Sequence, residues 1–204
     1  MRLGVTIVSN RDWKPKFGVA LVMLLNHIAK TTDIRFLPQI QNSLLPKGRR
    51  LAIEQAVMTG CTHLLTLDDD MMFAPNVVDL MMRGFGDTRC ALVLANYQNK
   101  TSPGRPTTQR LKPDGKPEFV ESKDKTGLEE VARGGLGLAL MDIEKVNSLE
   151  RPLFAVAWLP DIGAEYGEDL FFCDKVRKAG FKVLVDHDAS NRTRHIGEVE
   201  LEPV

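Results

Sequence analysis

The stretch His63-Leu64-Leu65-Thr66-Leu67-Asp68-Asp69-Asp70-Met71-Met72-Phe73 decides how the rest of the chain is read. Leu64 to Leu67 form a short apolar and β-branched run of the kind a buried strand requires. The run stops in three adjacent carboxylates. Like charges a few ångströms apart raise one another's pKa unless a cation neutralises them. Open α/β sheets collect ligands at the carboxyl ends of their strands. Carboxylates placed there suit a hard divalent cation that keeps some of its water and also binds phosphate oxygens. A cap for the helix starting near Pro75 is the plainer reading. One Asp is enough for a cap, however, and the other two would be left unexplained.

Working outward from this stretch, strands and helices alternate. Leu3 to Val8 reads as a buried strand ending at Ser9-Asn10-Arg11-Asp12. Gly18 to Lys30 has apolar residues at helical spacing, including Val19, Val22, Met23, Leu25 and Ile28. Ile34 to Leu37 is a second strand, stopped by Pro38. A helix follows from about Arg49 to Met58, with Gly60 where a C-cap favours glycine. After the acidic strand come a helix from Pro75 to about Arg83 and a strand from Cys90 to Ala95. Alternation of this kind indicates a largely parallel α/β sheet with right-handed crossovers.

The pattern breaks at Tyr97 to Gly127, a long Pro- and Gly-containing segment with seven Lys/Arg against four Asp/Glu. So long a connection inside one domain is usually functional, and a mobile lid or an acceptor groove is expected here. Phe119 is its one aromatic beyond Tyr97, too few for a nucleic-acid stacking platform. Arg133 to Met141 reads as a strand crowded with glycine at its start. Tyr166-Gly167-Glu168-Asp169 opens a helix to Ala179, Phe181 to Val185 is a last strand, and Arg192-Thr193-Arg194-His195-Ile196-Gly197 closes the ordered part.

Composition sets limits on partners. The chain has 204 residues, enough for one domain with a full core. Its 27 Lys+Arg balance 27 Asp+Glu, so no overall charge draws it to nucleic acid or an anionic membrane. Cys61, Cys90 and Cys173 are far apart and lack metal-ligand spacing, which suits reduced thiols in a cytoplasmic protein. No apolar run approaches about 18 residues, so no transmembrane segment is expected. The amino terminus lacks a signal-peptide pattern.

Four motifs in order then stand out. They are Arg49-Arg50-Leu51-Ala52, Leu67-Asp68-Asp69-Asp70, Gly167-Glu168-Asp169-Leu170 running into Arg177-Lys178-Ala179-Gly180-Phe181, and His195-Ile196-Gly197. Together they resemble the GT-A-fold glycosyltransferases, especially the family 2-like enzymes. The resemblance runs from Leu3 to about Gly197. It implies a single GT-A, Rossmann-like domain with a mostly parallel mixed sheet flanked by helices. The nucleotide-binding half would reach about residue 96 and the acceptor and catalytic half would run from about 97 to 198.

The implied activity is transfer of a sugar from a UDP- or GDP-sugar to the hydroxyl of a glycan or other acceptor. Asp68 and Asp70 match the family's D-x-D. On that resemblance Asp70 and His195 bind Mn²⁺ or Mg²⁺, and Asp68 bridges to the ribose or the metal-bound water. Asp69, on the other side of an extended segment, is the weakest candidate for direct ligation. A lone His near a carboxyl terminus is ordinarily a surface residue; the His-x-Gly context is what singles out His195. His27 and His63 read as structural.

Asp169 matches the family's catalytic base, with Glu168 in support and inversion the expected outcome. Acidic residues in a helix's first turn are also stabilised by the helix dipole without any chemistry. That dipole lowers an Asp pKa, and burial by Trp158, Tyr166 and Phe172 is the expected counterweight. Arg49 and Arg50 begin a helix, where positive charge is disfavoured, so one of them is expected to fork onto phosphate or a base carbonyl. Ser9 and Asn10 fall in the family's nucleotide-base region. Gly135, with Gly134 and Gly137, would let a sugar approach the strand backbone.

Three other readings compete. A haloacid-dehalogenase-type phosphatase also places D-x-D after an apolar strand, but normally on the first strand. A sugar nucleotidyltransferase would carry a glycine-rich basic loop after its first strand. A non-catalytic nucleotide-sugar-binding module would hold the donor without acceptor-dependent release of nucleotide. Acceptor recognition could fall to the basic loop, to a homodimer partner or to a separate protein.

Overall fold

Arg2–Ser9 (β1) is apolar on both faces and pairs in parallel with Asp33–Phe36 (β2), Ile40–Gln41 (β3) and His63–Asp68 (β4). The computed structural model describes residues 1–9, 12–37, 40–41, 44–100, 104–159 and 164–197. Helices Pro15–Ile28 (α1) and Leu45–Met58 (α2) fill the first two crossovers, α2 starting earlier than expected with Pro46 in its first turn. Met71–Phe73 (β5) follows the acidic triplet, then Val77–Met82 (α3), a short 3₁₀ turn and Cys90–Leu94 (β6).

The long basic segment is not structureless. It contains the hairpin Gln109–Leu111 (β7) and Pro117–Phe119 (β8), and Leu128–Val131 (β9) comes directly after it. Leu138–Asp142 (β10), Ile143–Asn147 (α4), the hairpin Ala157–Leu159 (β11) with Ala164–Tyr166 (β12), and Glu168–Lys178 (α5) come next. Lys182–Asp186 (β13), His187–Ser190 (α6) and Thr193–His195 (β14) complete the elements.

The main sheet has eight strands in the order β2-β1-β4-β10-β6-β13-β9, with β3 also on β1. It is mixed and mostly parallel, with β10 and β9 running against their neighbours. Burial on both faces explains why β4, β6 and β10 are continuous apolar runs. Alternation along β4 sends Leu64 to the face covered by Ala52, Ile53 and Phe172, and Leu65 and Leu67 to the face covered by Phe17, Leu21 and Met81.

Helix α1 is turned relative to the expected stripe. Phe17, Ala20, Leu21, Leu24 and Ile28 are buried, whereas Val19, Val22 and Met23 are exposed. Both stripes have helical spacing, and the one carrying the larger side chains wins the core. Cys61, Cys90 and Cys173 are buried free thiols. Among the described residues no helix is long and apolar enough to cross a membrane.

Candidate active site

The site forms where β4 stops. Asp69 and Asp70 lie in a turn rather than in the strand, so the period-two alternation that would align Asp68 with Asp70 ends there. The three carboxylates separate. Asp69 is buried and accepts a hydrogen bond from the Ser9 hydroxyl at the end of β1. Asp68 faces Arg49, and Asp70 faces the carboxyl-terminal segment.

Arg49 and Arg50 part ways because they are neighbours on a helix. Arg50 points outward and pairs with Glu54 one turn on, at 2.5 Å. Arg49 is 4% exposed and points under the sheet edge. Its Nε donates to Glu168 Oε1 at 3.1 Å, its Nη1 to the Leu136 carbonyl at 3.4 Å and its Nη2 to Asp68 Oδ2 at 3.4 Å. Burial opposes its charge, but Asp68 and Glu168 more than offset this and raise its pKa. One guanidinium thus joins the two acidic motifs, making Arg49 a bridge between carboxylates.

Asp68 is the less compensated of Arg49's partners. Burial raises its pKa against the pull of Arg49. Its Oδ1 lies 3.3 Å from Arg49 Nη2 but is buried without a hydrogen bond.

Asp70 and His195 are brought together by strand pairing. β14 runs antiparallel to β5, with His195 opposite Met71, and the Ile196 N–H donates to the Asp70 carbonyl at 2.7 Å. His195 Nε2 is 3.3 Å from Asp70 Oδ1. Its Nδ1 is 3.0 Å from the Gln98 carbonyl, to which it can only donate, which leaves Nε2 as the ring nitrogen facing Asp70. The Lys100 ammonium donates to the other oxygen, Asp70 Oδ2. Burial would raise the Asp70 pKa, but His195 and Lys100 together hold it well below the carboxylate range.

This donor set fits a divalent cation. A buried carboxylate oxygen and an imidazole nitrogen fixed by its second hydrogen bond are the ligands such an ion accepts alongside water and phosphate. Asp68, expected to share that ion, is engaged with Arg49. Among the described residues no cluster of three or more His, Cys, Asp or Glu side chains gathers at metal-holding spacing.

Asp169 lies in the first turn of α5, after Gly167, and its Oδ1 accepts the Leu170 N–H at 2.8 Å. Burial raises its pKa, and the charge of Glu168 adds to the effect. Burial therefore outweighs the backbone hydrogen bonds and the Arg49 charge that lower it. Phe172 is fully buried, but Trp158, expected to help cover Asp169, is 61% exposed.

Gly135 and Gly137 make room for a side chain from the loop after β6. A Cβ on Gly135 would stand 2.4 Å from Tyr97 Oη, and one on Gly137 would stand 2.6 Å from it. The Tyr97 ring fills the space these glycines leave. Its hydroxyl accepts the Gly137 N–H at 3.0 Å, and its ring meets His195 edge-on at 5.2 Å.

Tyr97, Gln98 and Lys100 were not singled out from the sequence. The available signal was their place directly after a parallel strand, β6, where sheets of this kind put their ligands. Asn96, also missed, pins the same loop. Its side chain donates to the Val120 carbonyl at 2.7 Å and accepts from the N–H groups of Thr107 and Thr108, each at 3.2 Å. The loop and the terminal segment enclose a cavity of about 440 Å³ bordered by Tyr97, Lys100, Lys123, Arg194 and His195. Among the described residues, His195 is the expected site residue that lines it. Asn10 lies outside the described residues. His27 is an exposed partner of Asp79 at 2.5 Å, and His63 packs edge-on against Phe85.

Comparison with solved structures places this chain beside A197 from STIV, with 16% identity, a TM-score of 0.59, and coverage of 100% of this chain and 98% of that one. GalNAc-T7, crystallised with UDP, GalNAc and Mn²⁺, matches with 16% identity and a TM-score of 0.57 over 97% of this chain. The chain spans 44% of that larger one. No protein-family model and no curated protein sequence matches. At this identity the likeness speaks to architecture alone, and the architecture is the GT-A fold.

Proposed function

We propose that the chain is a metal-dependent glycosyltransferase, moving a sugar from a nucleotide-diphosphate sugar to an acceptor hydroxyl with inversion. The observation that carries this reading is the β14–β5 pairing, which sets His195 Nε2 against Asp70 Oδ1 at the acidic end of the sheet. Asp70 and His195 would hold Mn²⁺ or Mg²⁺. A cation there supplies Lewis-acid stabilisation of the negative charge that gathers on the departing diphosphate.

The protein's own groups do the remaining work. Asp68 Oδ1, buried and lacking a donor, is suited to accept a ribose hydroxyl. Arg49 fixes Asp68 relative to Glu168, so the donor side and the acceptor side of the site keep a set spacing. Asp169 takes the acceptor's proton. Its raised pKa makes it a stronger base than an exposed Asp, at the cost of being protonated over more of the acid range. The shared fold of GalNAc-T7, seen with UDP and Mn²⁺, supports a nucleotide-sugar donor of the UDP- or GDP- kind.

The test is a thermal-shift panel of UDP- and GDP-sugars with and without Mn²⁺, followed by assay of nucleotide release with hydroxyl acceptors. A metal-dependent shift for one donor, with acceptor-stimulated release that EDTA abolishes, is expected. Undiminished transfer in EDTA would overturn the metal assignment. Donor binding with no release for any acceptor would favour the binding-module reading.

A further inference from the structure

Asp70 is a buried carboxylate just past the end of β4, with its side chain only 7% exposed. Among the described residues, two groups from different parts of the chain compensate it. His195 approaches Oδ1 from β14, and Lys100 approaches Oδ2 from the loop after β6. A buried carboxylate that lost both would be strongly destabilising.

The two partners are built differently. The His195 ring is fixed, with Nδ1 on the Gln98 carbonyl and its face against Tyr97. Lys100 is a point charge on a flexible stem with its side chain 41% exposed. The backbone leading to it is anchored. Tyr97 Oη accepts from Gly137, the Asn99 N–H donates to the Arg105 carbonyl at 2.9 Å, and the Arg105 N–H returns to Asn99 Oδ1 at 3.0 Å. The ammonium can therefore swing while its Cα stays in place.

We propose that Lys100 is a built-in counter-ion: it neutralises Asp70 while no divalent cation is bound, and turns to the donor's diphosphate once one is. This rests on the metal-dependent donor site proposed above. A divalent ion between Asp70 Oδ1 and His195 Nε2 would sit within a few ångströms of the ammonium, and like charges at that range repel. The displaced Lys100 would then stand beside the place where phosphate oxygens arrive, and a charge-assisted hydrogen bond to them replaces the one it lost.

Two titrations on the full chain test this, using wild type, Lys100→Met and Lys100→Arg. With Mn²⁺ alone, followed by calorimetry or by the loss of the free-ion electron paramagnetic resonance signal, Lys100→Met should bind about three- to tenfold tighter than wild type. Lys100→Arg, which keeps the charge, should stay near wild type. With saturating Mn²⁺ and inorganic pyrophosphate as the probe, the order reverses and Lys100→Met should bind about tenfold weaker.

Equal Mn²⁺ affinity in wild type and Lys100→Met would overturn the counter-ion role while leaving the metal site standing. Unchanged pyrophosphate affinity would overturn the second half of the proposal. Absence of Mn²⁺ binding in both proteins would remove the metal site itself, and the role of Lys100 with it.

Discussion

His195 Nε2 stands 3.3 Å from Asp70 Oδ1 because the last strand of the fold pairs with β5, which begins one residue after Asp70. On the proposed function the pair acts as one unit. Asp70→Asn and His195→Ala should each lower metal-dependent transfer by about two orders of magnitude. The double variant should be little worse than either single one, because residues that share one ligand do not add. Initial rates across a Mn²⁺ series measure this; independent, additive losses would show that the two side chains serve different purposes.

Arg49 and Arg50 are adjacent but should differ sharply in stability. Removing Arg49 leaves Asp68 and Glu168 facing each other without the cation between them, so Arg49→Met should cost roughly 3–5 kcal/mol. Arg50 belongs to an exposed pair within one helix, and Arg50→Ala should cost at most about 0.5 kcal/mol. Urea unfolding of the two variants measures the contrast.

Gly135→Ala should destabilise by about 1–3 kcal/mol, since its Cβ would meet Tyr97 Oη at 2.4 Å and Thr107 Cβ at 3.2 Å. Adding Tyr97→Phe removes the nearest atom and should restore part of the loss. Thermal melts of the single and double variants check both signs.

The pH dependence of transfer follows from Asp169. Its pKa is raised by burial and then by Glu168, so the acid limb of the rate profile should lie above the range of an exposed carboxyl. Activity should rise as pH climbs through that limb, because the ionised form is the base. Glu168→Gln removes one cause of the shift and should move the limb to lower pH. Asp169→Asn should abolish transfer at every pH while sparing nucleotide affinity, read by thermal shift.

The apolar runs that form β1, β4 and β6 were readable because strands buried on both faces have to be apolar throughout. The acidic end and the glycine before α5 were equally plain. The facing of α1 was harder to read, because Val19 and Val22 match the helical period as well as Leu21 and Leu24 do. Only packing against β5 and the strands separates the two stripes. The neighbour of Gly135 was hard to read for a related reason. A glycine marks close approach, but its sequence does not say whether a ligand or a tyrosine from another segment does the approaching. The partners of Asp70 and Asp68 depend on long-range pairing, such as His195 opposite Met71, which no local pattern contains.

The ribbon of β5 and β14 also sets an order of events during synthesis. The acid triplet leaves the ribosome well before the strand that carries its imidazole, so a nascent chain reaches its full sheet edge with those carboxylates only half escorted. A chain interrupted before Thr193 would lack the β14 pairing to β5, the packing of Ile196 on the core and the imidazole that flanks Asp70.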